Sequence, residues 1–379
     1  MKLSIAFGLL SAVTSGVVTH AFHAIDTFFP SSSTSSGSTV LNMATAGSLG
    51  CRPIGIGSAT PKTLITNTDL EDVVETSDEW ISSRTGISQR RVLQHEETLK
   101  GLGSDAGKQA LEMSGLNPED IDLVICATSS ADDLFGDATS IAAELGCTNA
   151  VGFDLTAACS GFLFATVTAG QFLNNPGGMK NALVIGADAL SRWVDWDDRN
   201  SCILFGDGAG AMVLTKDEDA HGVLGYSAHS NGKGYKNLNC GYGGSPRHVA
   251  TPGEGTTVSS GSYNQISMNG KEVYKFATRE VPKVLKEAIT AADMTVDDVD
   301  WLLLHQANIR IMETVASRLG IPMEKVITNL ADYGNTSAAS IPLALDEAVR
   351  SGKVKKGDVI ACAGFGAGLS WGSAILRWG

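Results

Sequence analysis

Short runs of apolar residues bounded by polar turns punctuate the chain, most clearly at residues 122–128, 182–186 and 301–305. Continuous apolar runs of this length suit strands buried on both faces, since a half-exposed strand would alternate. Between them lie stretches with apolar positions three and four apart, such as residues 281–292. Those predict amphipathic helices packed against the strands. The alternation of the two patterns predicts an α/β fold.

The pattern also repeats. Residues 115–125 resemble residues 293–303, each a short acidic turn leading into an apolar strand, at an offset of about 178 residues. At nearly the same offset, residues 151–159 lie against 327–335, which sets Cys159 opposite Asn335. Phe205-Gly-Asp-Gly-Ala-Gly210 and Phe365-Gly-Ala-Gly368 form a further pair, each followed by an apolar strand. Convergent turn chemistry accounts for one such pair but poorly for an ordered set, so an internal duplication is expected. Packed about a pseudo-twofold, the halves would bring equivalent strand ends together, where α/β sheets usually hold ligands.

The N-terminus breaks the pattern. Met1 and Lys2 precede an apolar stretch at residues 3–18, followed by a Ser/Thr-rich segment at 31–39 that lacks acidic residues. The first suits a secretory signal better than a spanning helix. Together they resemble the bipartite presequence of algae with complex plastids, which predicts a plastid location. Residues 1–50 are therefore set apart as a targeting presequence, leaving an N-terminal half at 51–222 and a C-terminal half at 223–379. No later segment is apolar for long enough to cross a bilayer, so a mature form without a membrane span is expected.

Composition narrows the function classes. The chain of 379 residues is 43% hydrophobic and 18% charged, ordinary values for a globular protein with a large core. A net charge of −13 argues against a general nucleic-acid binder. Seven cysteines, an odd number, occur without a C-x-x-C pair and among scattered histidines. That excludes neither reactivity nor packing, but it disfavours a disulfide framework and a structural zinc site. A reducing compartment and no metal follow as expectations.

Three residues stand where chemistry collects. Cys159 follows a predicted strand and opens an apolar helix, where the positive end of the helix dipole would lower its pKa. Taken alone, a buried cysteine is more often inert packing. His305 directly follows the strand at 301–304, and Asn335 lies in a small-residue turn where an asparagine is commonly a helix cap.

These residues carry a family resemblance. The chain from about Arg52 to Gly379 resembles the β-ketoacyl-acyl-carrier-protein synthase III family of thiolase-fold enzymes. The likeness rests on Thr76-Ser-Asp-Glu-Trp-Ile-Ser-Ser-Arg-Thr-Gly-Ile87, Ala157-Ala-Cys-Ser-Gly161, Phe205-Gly-Asp-Gly-Ala-Gly210, His305-Gln-Ala-Asn308, Gly334-Asn-Thr-Ser-Ala-Ala-Ser340 and Gly364-Phe-Gly-Ala-Gly368, in that order. It implies two duplicated α/β halves forming a layered α-β-α-β-α sandwich. It also implies that Cys159 takes an acyl group from acyl-CoA, acetyl-CoA by expectation, and joins it to malonyl-acyl-carrier protein with loss of CO2. His305 and Asn335 would stabilise the enolate, and the backbone N–H groups of Cys159 and Ala367 would form the oxyanion hole. The family commonly has glycine where Ala367 stands, a change that a backbone N–H survives unless φ is positive.

By the same resemblance, Trp80, Arg84, Arg199 and Asn269 bind CoA, and Phe135 reaches the acyl pocket of a partner subunit, which presupposes a homodimer. Lys275, Arg310 and Arg318 would receive the acidic carrier protein. Beyond the thioester substrates no cofactor is implied. The rival readings are a chalcone-synthase-like polyketide synthase, a papain-like hydrolase whose signature is absent, and an inactive scaffold.

Overall fold

Successive residues of the predicted strands face alternate cores. Leu302 and Leu304 point into one buried cluster while Leu303 points into another. In the strand Leu123–Ala127, the side chains of Leu123, Ile125 and Ala127 join that second cluster, and Val124 and Cys126 join a third. Strands with apolar groups on both faces must be covered on both faces, and this is what builds the layers. The computed structural model describes residues 43–219, 221–249 and 255–379. The described part belongs to a compact unit that starts at Leu41.

Two sheets form the scaffold. The first has five strands in the order Cys51–Ala59, Gly208–Lys216, Asn181–Asp188, Leu123–Ala127 and Val151–Leu155. The second runs Val223–Ser230, Ser370–Arg377, Val359–Gly366, Trp301–Leu304 and Val326–Ile327, with Met43–Ala46 added at its outer edge. Strand senses match position by position. In each sheet the first two neighbouring pairs are antiparallel and the last two are parallel.

Helices complete the sandwich. Gly161–Leu173 and Ser340–Arg350 contribute to the core shared by both sheets, through Phe162, Leu163, Ile341 and Leu345. Leu99–Ser114 and Ala138–Leu145 cover the outer face of the first sheet. Gly270–Ala291 and Ile309–Leu319 cover that of the second. The result is the α-β-α-β-α layering expected for a thiolase fold.

The expected boundary at residue 50 falls among paired and buried residues. The presequence expected over residues 1–50 overlaps the fold: Met43–Ala46 pairs antiparallel with Val223–Ser230, and Leu49 is buried in the central core. An edge strand of four residues is too short for its pattern to stand out, and it adjoins a segment of different composition. The apolar and Ser/Thr-rich segments at 3–18 and 31–39 lie outside the described residues. Among the described residues no helix is long and apolar enough to cross a membrane.

Candidate active site

The two helices of the central layer begin in the same unusual way. Ahead of Gly161–Leu173 runs the 3-10 turn Ala158–Ser160, and ahead of Ser340–Arg350 runs the 3-10 turn Ser337–Ala339. The first residue of each turn has positive φ, 47° at Ala158 and 50° at Ser337. Left-handed backbone at a non-glycine residue is uncommon and is held only where the surroundings determine it. This shared turn places Ser337 opposite Ala158, hence Ala338 rather than Asn335 opposite Cys159. The repeat read from sequence alone is off by three residues here.

The first turn opens on a pocket through Cys159. Cys159, His305 and Asn335 line it together with Phe205, Phe365 and Asn308. Cys159 Sγ lies 3.3 Å from Ser337 Oγ. His305 follows the strand Trp301–Leu304, and its ring packs edge-on against Phe365 with centroids 5.2 Å apart. Its Nδ1 shares a 2.7 Å hydrogen bond with Ser340 Oγ, which leaves Nε2 free of that bond. Asn335 is held through its backbone: its N–H donates to Leu204 O at 2.8 Å, and its carbonyl accepts from Gly206 N at 3.0 Å. Its side-chain Oδ1 accepts from Ser337 N at 2.9 Å. With the carbonyl end engaged, the NH2 end is the one available to a ligand.

Burial dominates the electrostatics. It pushes the Cys159 thiol up to about 12, a hydrogen bond from Ser337 opposing this in part. The direction is opposite to the lowering expected from the helix dipole: loss of hydration outweighs the hydrogen bonds that favour the thiolate. Burial also holds His305 far below its ordinary value, at about 3, so the imidazole is neutral at physiological pH.

A second pocket opens on the other side of Cys159, lined by Leu190, Trp193, Leu238, Ile266 and Ala367 among others. Ala367 is absent from the residues with positive φ, so its methyl group is compatible with the backbone there. Next to it, Gly366 passes so near the nucleophile turn that a Cβ would sit 2.8 Å from Cys159 N.

The remaining predicted residues divide. Arg84 and Arg199 both lie over the Trp80 ring, 4.7 and 4.5 Å from its centroid. Asn308 Nδ2 donates to Arg84 O at 3.1 Å, linking this stack to the pocket wall. Asn269 is the N-cap of Gly270–Ala291, its side chain accepting from Glu272 N, so the structure gives it a capping contact. Phe135 is 95% exposed and beside Leu134, which is 87% exposed. Lys275 pairs with Glu272 at 2.7 Å, while Arg310 donates to Ser83 O at 2.8 Å. Arg318 is turned toward the protein and donates to Thr278 O at 2.7 Å. Sequence reasoning missed Ser337, Ser340, Asn308 and Phe365. The spacing of serines two and five residues after Asn335 was the available signal, readable only once the turn geometry is known.

Comparison with known proteins agrees with this architecture. Sequence models of 3-oxoacyl-(acyl-carrier-protein) synthase III match residues 153–232, and those of its C-terminal region match residues 289–378. A protein of Trichormus variabilis named beta-ketoacyl-(acyl-carrier-protein) synthase III is 56% identical over 331 residues, covering 87% of this chain and 99% of that relative. The crystal structure of 3-oxoacyl-(acyl-carrier-protein) synthase III from Aquifex aeolicus superposes with a TM-score of 0.78 at 42% identity, over 87% of this chain and all of that one. The priming beta-ketosynthase of the R1128 polyketide pathway also superposes at 0.78, with 33% identity over 89% of this chain and 98% of that one. Identity at this level over most of both chains means that the chain belongs to the β-ketoacyl-acyl-carrier-protein synthase III family.

Proposed function

We propose that this protein starts type II fatty-acid synthesis, loading an acyl group from acyl-CoA onto Cys159 and condensing it with malonyl-acyl-carrier protein. The observation that carries this reading is the shared pocket lined by Cys159, His305 and Asn335, two of them neutral donors. Cys159 attacks the thioester and becomes an acyl-enzyme as CoA leaves. Malonyl-acyl-carrier protein then loses CO2, and the electron pair of the broken C–C bond passes onto the thioester oxygen. In this reading Ser340 donates to Nδ1 of His305, which puts the ring proton on Nε2, and Ser337 N holds the Asn335 amide with its NH2 outward. Both groups then donate to the enolate oxygen. A neutral imidazole is the right donor here, because it stabilises the charge without giving up a full proton. The carbanion attacks the acyl-cysteine, with the Cys159 and Ala367 N–H groups receiving the second oxyanion, and 3-oxoacyl-carrier protein departs. No cofactor is needed.

Trp80 with Arg84 and Arg199 supports an adenine clamp. A base would enter by displacing a guanidinium from the ring, exchanging one stack for another. Lys275 and Arg310 supply exposed positive charge on an otherwise acidic protein, which favours an acidic carrier partner. Arg318 contributes through its fixed contact with Thr278 more than through free charge. The exposed pair Leu134 and Phe135, near the edge strand Val151–Leu155, supports a homodimer in which Phe135 closes the partner's acyl pocket. Seven unpaired cysteines, the N-terminal composition and the cyanobacterial relative support a plastid location.

The likeness to a polyketide priming ketosynthase keeps that second reading in view. Intact-mass analysis after incubation with a series of acyl-CoAs, followed by turnover with malonyl-carrier protein or malonyl-CoA, decides. The expected result is one acyl adduct on Cys159, lost in Cys159→Ala, and a strong preference for the carrier protein. An adduct on another residue, or preference for malonyl-CoA, would overturn the proposal.

A further inference from the structure

Behind Ser337 lies a carboxylate that the condensing chemistry above does not use. Asp188 ends the strand Asn181–Asp188 and is fully buried. Its Oδ1 accepts from Ser129 N at 2.8 Å, Ser130 Oγ at 2.9 Å and Thr128 Oγ1 at 3.3 Å. Its Oδ2 accepts from Ala338 N at 3.2 Å, and the preceding residue, Ser337, lowers the pKa of the same carboxylate through its side chain. None of these donors carries a charge. A buried carboxylate without a cation is costly, and a fold that keeps one usually has a reason beyond packing.

Its position supplies the reason. Ser337 adjoins both groups: its Oγ is 3.3 Å from Cys159 Sγ, and the next backbone N–H, of Ala338, is bonded to the carboxylate. A hydroxyl that donates to a carboxylate has lone pairs left to accept, so it can take a thiol proton while releasing its own. We infer that Ser337 and Asp188 form a proton relay for Cys159, which activates the nucleophile in the acyl-loading step. The inference deepens the function proposed above and rests on it.

The step balances without any co-reactant. As Cys159 Sγ bonds to the thioester carbon, the thiol proton moves to Ser337 Oγ and the Ser337 proton moves to Asp188. When the tetrahedral adduct collapses and its C–S bond to CoA breaks, the proton returns along the same path to the departing CoA sulfur. The products are acyl-Cys159 and CoA thiol, with the relay restored.

His305 is the obvious competitor as base, and the structure places it less well. Its Nδ1 is taken by Ser340, and burial leaves it a weak base at about 3. Burial moves Asp188 the other way, above the ordinary carboxylate value of 3.8. The carboxylate therefore holds a proton more firmly than the imidazole does. The other titratable neighbour is Cys126 on the adjoining strand, whose thiol burial keeps protonated, helped by the charges of Asp154, Asp137, Asp188 and Asp132 in that order. Ser337 touches the reacting sulfur and is catalytic, whereas Asp188 acts through it.

The test measures single-turnover transfer of radiolabelled acetyl-CoA to the full chain between pH 6 and 10. With the relay, the parent's rate depends only weakly on pH from about 7 to 9, because the thiol proton passes to Ser337 and Asp188 within the site and not to solvent. In Ser337→Ala only spontaneous ionisation remains, of a thiol that burial holds high and that has lost the hydrogen bond opposing this. Loading then falls at least 100-fold at pH 7 and climbs about tenfold per pH unit. CO2 release from malonyl-carrier protein without primer falls at least tenfold less than loading does. Asp188→Asn, which keeps the hydroxyl but removes the acceptor, shows the same steep pH profile. Ser337→Ala loading within twofold of the parent, or falling while keeping a flat profile, would overturn the relay. A parent labelled elsewhere than Cys159 would instead overturn the reading on which it rests.

Discussion

His305 Nδ1 and Ser340 Oγ are 2.7 Å apart and both buried, joining the end of a strand in the second sheet to the first residue of a central-layer helix. The contact fixes which face of the imidazole looks into the pocket. Removing the hydroxyl in Ser340→Ala leaves Nδ1 without a partner and frees the ring to adopt the other tautomer. A buried hydrogen bond of this kind is worth about 1–3 kcal/mol, so condensation is expected to slow about 10- to 100-fold. Acetyl loading should change little, since Cys159 has its own partner in Ser337. Comparing single-turnover loading with steady-state condensation checks this, and an equal loss in both would show that Ser340 supports the fold alone.

The burial of His305 makes a prediction about acid stability. Its value falls from 6.5 to about 3 on folding. Between these limits the unfolded chain binds the proton and the folded chain does not, so stability rises with pH through this window. Conversely, stability is intact above about 6.5 and is lost as pH falls toward 3, by an amount on the order of 5 kcal/mol. His305→Gln carries no titrating group at this position. Thermal unfolding from pH 7 to 4 should show the parent losing more Tm than the variant, and parallel curves would contradict a buried neutral imidazole.

Gly366 tests how tightly the nucleophile turn is held. Its φ of −170° is ordinary extended backbone, so an alanine there suffers no backbone strain. The obstacle is space: the new methyl would stand 2.8 Å from Cys159 N and 3.2 Å from Cys159 Cβ. Both contacts are to rigid atoms. Gly366→Ala should therefore push the Cys159 turn away from its oxyanion partner, costing about 1–3 kcal/mol of stability and at least 100-fold in acyl loading. Near-normal loading would mean that the turn is more compliant than its packing indicates. The neighbouring Ala367 already carries a methyl where the family commonly has glycine, and it lies in the wall of the other pocket instead.

What the sequence revealed of this molecule follows from where its physics is local. Strands such as Leu123–Ala127 and Trp301–Leu304 were legible because burial on both faces leaves a continuous apolar run. The duplication was legible because acidic turns before such runs recur in order. Its register at the nucleophile was not, since Ala158 and Ser337 correspond by a shared positive φ and not by residue type. Pairwise chemistry across the pseudo-twofold was equally hidden. Ser337 against Cys159 spans 178 residues, and nothing near either residue announces the other. The direction of the thiol's pKa was hidden for a related reason: the helix dipole is readable from local order, whereas burial is a property of the whole fold. Asn269 and Arg318 owe their expected roles to resemblance, and the structure engages each in a local contact, a cap and a carbonyl.

Arg310 separates surface steering from structure. It lies in the first turn of the helix Ile309–Leu319, capped by the pocket residue Asn308, and its guanidinium donates to Ser83 O at 2.8 Å. That carbonyl adjoins Arg84, so a change at Arg310 can act on the carrier protein by charge, or on the Trp80 stack through the missing hydrogen bond. Arg310→Ala and Arg310→Glu both remove the donor to Ser83, but only the second reverses the charge. If charge steers an acidic carrier, the glutamate variant should raise the KM for malonyl-carrier protein about tenfold beyond the alanine variant. The gap should close as salt is raised toward 0.5 M, because exposed charges are screened over roughly 10 Å or less at such ionic strength. Loading from acetyl-CoA should be the same in the two variants, since both leave the Ser83 carbonyl without its guanidinium. A salt-insensitive gap, or one that appears equally in loading, would place Arg310 in the architecture of the CoA side and not on the carrier's docking surface.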